Sequence, residues 1–270
     1  MPLASVSGRK LYYETHGDAP GTPLVLAMGL AGSCRGWHAL QVPELAPHQR
    51  LILFDHRGVG ESEDPGGPFT TADLADDLAG LLDELDVPRV HLLGAFMGGM
   101  AAQEFALRHP DRLDHLALVG CYARPDAKRR MLLEKWRQMA LEGTSTEILL
   151  RERLLWTLQD ETLEQTDLIE AMERSFPGEG GLPMSPDLLA RQCEACLGHD
   201  TLDRLHEITA PTLVLCGRSD QLTPPKFHRQ LADEIPGGRL VTFQYGAHLV
   251  IAESAERFNQ SLLGFLSEPA

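Results

Sequence analysis

His91-Leu92-Leu93-Gly94-Ala95-Phe96-Met97-Gly98-Gly99-Met100 runs from an apolar stretch, through a turn rich in small residues, into a helical pattern. A short apolar run followed by glycines and a helix is how a buried parallel strand hands over to the helix that covers it. Gly94 and Gly98 flank the turn at i and i+4 and let it tighten enough to lift the central residue above the sheet. That spacing is G-x-S-x-G, the strand–turn–helix that carries a nucleophilic serine, with Phe96 at the centre.

Working outward, short apolar runs alternate with amphipathic helices, the pattern of βαβ units around a mostly parallel sheet. The expected strands are Lys10–Glu14, Pro23–Met28, Arg50–Asp55, Val90–Leu93, His115–Val119, Thr212–Cys216 and Arg239–Phe243. Helices are expected over Thr71–Leu85, with Thr70 and Asp73 as a capping box, over Met97–Arg108 and over Glu253–Leu266. Gly80 weakens the first of these and allows close packing on the sheet. From about Ala123 to Leu205 the rhythm breaks. No strand pattern occurs, and Leu, Met and charged residues dominate, with Trp136, Trp156 and a loop at Phe176–Pro186. This reads as three or four helices inserted between two strands, a helical lid. The expected division is a core of 1–122 and 206–270 with a cap at 123–205.

The other landmarks fall beside the right elements. Met28-Gly29-Leu30-Ala31-Gly32 follows the second expected strand, and Asp55-His56-Arg57-Gly58-Val59-Gly60-Glu61-Ser62 the next. Asp220 closes Cys216-Gly217-Arg218-Ser219-Asp220, and His248 closes Gly246-Ala247-His248. Taken alone, an Asp or His after a strand is a turn, cap or packing residue. The ordered set, nucleophile position then acid then histidine, is much more specific.

On these residues the chain resembles the α/β-hydrolase superfamily over essentially its whole length. The wording around Phe96 is similar to the esterase and enol-lactonase branch. The resemblance implies an α/β-hydrolase fold, with a mostly parallel sheet flanked by helices. It implies that Asp220 and His248 are the catalytic acid and base, and that Phe96 stands where the serine would be. It also implies an oxyanion hole made by the backbone N–H groups of Leu30 and Met97. Phenylalanine has no nucleophilic atom, so the acyl-enzyme step is expected to be blocked. Two origins fit: a substituted form of an active hydrolase, or a natural member that abandoned the nucleophile.

Three functions follow as expectations. The first is a carboxylic-ester or lactone hydrolase scaffold blocked at position 96. The second is an enzyme using the His/Asp pair as a general base without an acyl intermediate. The third is a non-catalytic binder of an apolar ligand. The expected ligand is a small apolar ester or lactone. A formal net charge of −15 argues against a general binder of nucleic acid. No apolar run reaches the length of a membrane span, and no signal peptide is visible. Cys34, Cys121, Cys193, Cys196 and Cys216 form an odd, scattered set, the pattern of a reducing cytoplasm. Cys193-Glu194-Ala195-Cys196 lacks the second pair a zinc site needs and reads as two helix-face thiols. Cys121 reads as a packed thiol, and Lys128, Arg129 and Arg130 as a solvated helix face. Neither a metal-ligand cluster nor a dinucleotide fingerprint appears, so neither metal nor cofactor is expected. Homo-oligomerisation stays open.

Overall fold

The computed structural model describes residues 2–175 and 185–269. Eight strands among them form one sheet in the order β1-β2-β4-β3-β5-β6-β7-β8. They are β1 (Leu3–Val6), β2 (Arg9–His16), β3 (Leu24–Ala27), β4 (Leu51–Phe54), β5 (Val90–Ala95), β6 (Leu113–Val119), β7 (Thr212–Gly217) and β8 (Arg239–Phe243). β1 and β2 run antiparallel at one edge, and β2 meets β4 antiparallel. All pairings from β4 through β3 to β8 are parallel. The expected α/β-hydrolase sheet is therefore present, with β1 added at its edge.

The central strands are buried on both faces, and this explains their unbroken apolar runs. In β3, Val25 and Ala27 join the core on one face while Leu24 and Leu26 join the core on the other. β4 and β5 alternate likewise. The first face is covered by α2 (Thr71–Glu84), α3 (Met97–Arg108) and α9 (Pro225–Glu234). The second is covered by α1 (Val42–Leu45), α10 (Val250–Glu253) and α11 (Ala255–Leu266).

Local signals set several boundaries. Thr70 accepts from the Asp73 N–H while Asp73 accepts from Thr70, so α2 begins on the expected capping box. A Cβ on Gly80 would stand 2.6 Å from a Val6 methyl, so this glycine lets α2 close onto β1. The last expected helix is present as α11, starting at Ala255, and Ser254, at φ −127° and ψ 36°, separates it from the short α10 before it.

Between β6 and β7 lie α4 (Ala127–Leu141), α5 (Thr146–Thr157), α6 (Asp160–Leu163), α7 (Thr166–Ser175) and α8 (Pro186–Leu197). α4 and α8 pack side by side, and Leu132, Leu133, Trp136, Leu188 and Leu189 join the core beneath. Leu150, Leu154 and Leu158 form a small separate cluster that reaches Leu249, beside His248. The expected loop at Phe176–Pro186 lies outside the described residues up to 184. Pro186 opens α8, with Ser185 as its cap.

Candidate active site

Phe96 joins β5 to α3 with φ 60° and ψ −120°, a left-handed conformation that ordinary side chains avoid. Its N–H donates to the Val119 carbonyl at 2.8 Å, and its carbonyl accepts from Gly99 and Met100. The turn is closely packed on both sides. A Cβ on Gly98 would collide with the Ala27 and Met28 carbonyls, and one on Gly94 would lie 2.6 Å from the Gly98 carbonyl. The conformation costs of order 1–3 kcal/mol, held by the sheet and helix on either side.

The half-buried Phe96 ring packs against the second core. It also faces the His248 imidazole, with centroids 4.4 Å apart and planes tilted 30°. Such contacts are worth about 0.5–1.5 kcal/mol, so the ring recovers part of the strain, a folding benefit that the sequence does not reveal. Gly120, at the end of β6, makes room for both rings. A Cβ there would lie 2.7 Å from Phe96 Cε1 and 3.1 Å from His248 Cε1.

His248 Nδ1 lies 3.0 Å from Asp220 Oδ2, and both side chains are buried. Thr223 completes the unit. Its N–H donates to Asp220 Oδ1 at 2.7 Å, and its hydroxyl donates to Oδ2 at 2.7 Å. Burial pushes the Asp220 carboxyl up, but the His248 charge and hydrogen bond, with His228 and Thr223, outweigh it and hold it below its ordinary value. An acceptor oxygen on Nδ1 fixes the imidazole with its proton there, leaving Nε2 as the basic nitrogen.

The loop after β3 lies against the same turn. A Cβ on Gly29 would strike Phe96, and the Leu30 N–H next to it donates to no described residue. Nor does the N–H of Met97, the first residue of α3. Free N–H groups at a helix start and a neighbouring loop are suited to stabilising a developing negative charge. The structure thus brings Phe96, Asp220, His248, Leu30 and Met97 to one place.

The match to the alpha/beta hydrolase fold model spans residues 22–255. The chain belongs to the α/β-hydrolase fold family. It is 33% identical over 273 residues to a protein of Azorhizobium caulinodans named "Putative carbamate hydrolase RutD", covering 99% of each chain. Among solved structures it resembles the enol-lactonase of Burkholderia xenovorans LB400, with 30% identity, a TM-score of 0.88, and 99% and 100% of the two chains covered. A hydrolase from Pseudomonas aeruginosa PA01 superposes with a TM-score of 0.90 at 29% identity, covering 99% and 98%.

This α/β-hydrolase has supports around its site that the sequence did not disclose. His56 Nε2 donates to the Met28 carbonyl at 3.0 Å, and burial lowers that imidazole to about 4, keeping it neutral. Gln192 Oε1, from α8, accepts from the Ala31 N–H at 2.8 Å, and Arg153, from α5, donates to the Leu30 carbonyl at 3.1 Å. The histidine loop is tied just as closely. Gln159 Oε1 accepts from Gly246, and the Thr157 carbonyl accepts from Leu249. Glu253 accepts from Ala247, Gln159 and Thr162. Gln192, Arg153, Gln159 and Thr157 lie more than 80 residues from the loops they hold, whereas His56 and Glu253 reach Met28 and Ala247 within their own part of the chain.

The other candidates are accounted for by packing. Cys121 is fully buried, its thiol pushed by burial to about 12, and accepts a hydrogen bond from Gln103 at 3.5 Å. Cys193 and Cys196 are buried on α8. Arg129 corrects the expected solvated face: only Lys128 and Arg130 are exposed. Arg129 is buried beside Asp126, 3.2 Å away, and lies over the Phe227 ring. It is held by the α4 start and α9, and a solvent-facing period in α4 conceals it.

Proposed function

We propose that the chain is a Ser-Asp-His-type hydrolase scaffold for small carboxylic esters, lactones or carbamates, with its covalent step blocked at Phe96. The observation that carries this reading is the 4.4 Å stack of Phe96 on His248. Every other part of a hydrolytic site is assembled, and the one side chain that should attack is an unreactive ring lying on the base. Asp220 and His248 are the acid–base pair, Leu30 and Met97 the oxyanion donors, and residues 123–205 the cap over an apolar acyl pocket. The names of the relatives support the substrate range, since one is named for carbamates and another for an enol-lactone.

The test is Phe96→Ser, assayed with short aryl esters, lactones and aryl carbamates. The serine variant gains at least about 10³-fold in kcat/KM over the unaltered chain. A folded serine variant with no gain on any of the three substrate classes overturns the reading. So does turnover by the unaltered chain through a covalent adduct at another residue. A general-base role for the pair without an acyl-enzyme is the second reading, favoured by the intact Asp220–His248 bond. It requires turnover by the unaltered chain that His248→Ala abolishes.

A further inference from the structure

Glu14 and His16 lie two residues apart on β2, so their side chains share one face of the strand. His38, just after the short 3-10 turn Cys34–Trp37, reaches the same carboxylate from the segment that follows the Leu30 loop. His16 Nε2 lies 2.8 Å and His38 Nε2 2.7 Å from one atom, Glu14 Oε2. The two rings meet edge to face with centroids 5.6 Å apart. One donor atom from each of the three residues falls within 4.8 Å of the other two. From these positions we propose that Glu14, His16 and His38 form a surface site for a divalent transition-metal ion, zinc(II) in particular.

The donor set fits the ion. Two borderline imidazole nitrogens and a carboxylate oxygen are a donor set that zinc takes. Zinc bonds of about 2.0–2.2 Å in a tetrahedron separate ligand atoms by roughly 3.3–3.5 Å. The present 2.7 and 2.8 Å spacings need to open by about 0.5–0.8 Å. Each imidazole then carries its proton on Nδ1 and offers the Nε2 lone pair, and the fourth position goes to water. A supporting group is in place: the Tyr12 hydroxyl donates to Glu14 Oε1 at 2.7 Å, orienting the carboxylate and leaving Oε2 for the metal. Access is open on the imidazole side, with His16 31% and His38 40% exposed while Glu14 is 14% exposed. The acidic chain, at −15, also favours approach of a cation.

Such an ion would tie the segment after the Leu30 loop to the sheet edge, away from Asp220 and His248 in the sequence and independent of the chemistry at Phe96. Its test uses the chelator-treated full chain in isothermal titration calorimetry and thermal unfolding with zinc chloride. One zinc per chain is expected, with a midpoint that rises with zinc concentration. His16→Ala and His38→Ala each weaken binding by at least about tenfold, and His206→Ala, far from the cluster in sequence, leaves it unchanged. On the unaltered chain, zinc shifts the ring resonances of His16 and His38 before those of the other histidines. No binding at millimolar zinc overturns the proposal. So does binding that both alanine variants retain, or resonance shifts confined to other histidines.

Discussion

Residue 96 shows how a side chain and its backbone can serve different masters. The backbone keeps φ 60° and ψ −120°, angles that the Gly94 and Gly98 contacts enforce whatever side chain is attached. Gly98→Ala tests that enforcement directly. Its Cβ would meet the Ala27 and Met28 carbonyls, backbone atoms at the end of β3 and directly after it, which cannot swing aside as a side chain can. We expect a loss of at least about 2 kcal/mol, read as a lower urea midpoint with an unchanged slope. An alanine variant as stable as the parent would show that the turn relaxes. The acid answers at the same scale. In the Phe96→Ser background, Asp220→Asn keeps the shape of the pair but disturbs the tautomer that the 3.0 Å bond to Nδ1 selects. A fall in kcat of about 10³–10⁴-fold is expected, with little change in KM. Equal activity of the two proteins would remove Asp220 from the mechanism.

Among the elements, the helices between β6 and β7 do more than cover the sheet. α5 and the turn into α6 hold the His248 loop through Thr157, Gln159 and Glu253, while α8 holds the Leu30 loop through Gln192. Glu253→Ala removes the acceptor of three donors at once, the Ala247 and Gln159 N–H groups and the Thr162 hydroxyl. Stability should fall by roughly 2–3 kcal/mol, since donors left in a partly buried place lose their partners outright. In the Phe96→Ser background kcat should fall as well, because His248 sits one residue from the freed Ala247. Unchanged kcat with lowered stability would limit Glu253 to a structural tie. Elements of this kind also mark what could be read from the sequence. Parallel strands, the α2 capping box and the Phe96 turn were legible because each depends on residues within a few positions of one another. β1 was not, since Leu3–Val6 is four residues long at an edge, with exposed and buried positions alternating. Gln159, Gln192 and Arg153 were not, because a polar residue on a helix looks the same whether it meets water or a loop from a distant part of the chain. Glu14, His16 and His38 escaped for the same reason. Two residues on a strand and one more than 20 positions away acquire a common meaning only when the sheet edge and the turn are brought together.

The whole molecule carries a pH dependence set by histidines that the fold buries. Burial lowers His56, His91 and His228 to about 4 and His199 to about 3. His115 is lowered as well, against the face of His91 on the next strand. Neither ring nitrogen of His115 or His228 has a hydrogen-bond partner among the described residues. In the unfolded chain each imidazole titrates near about 6.5. Between about 6.5 and 4 the unfolded state therefore binds more protons than the folded one, so stability rises with pH across that window. It is fully present above 6.5 and drains away as pH falls, at up to about 1.4 kcal/mol per pH unit for each group. Four such groups against a total of about 5–15 kcal/mol should bring unfolding on well before the carboxylates protonate. The carboxylates held low by their partners, Asp64 by Arg191 and Asp200 by Arg124 among them, withdraw their contribution only below about 4. Urea midpoints should thus hold between pH 7 and 8 and drop steeply between about 6 and 4.5. His228→Leu supplies the decisive comparison, because it fills the same buried place with a group that cannot take a proton. Relative to the parent, the leucine variant should lose less stability on going from pH 7.5 to 5, by about 1–2 kcal/mol. Parallel losses in the two proteins would mean that His228 takes up its proton without unfolding the chain.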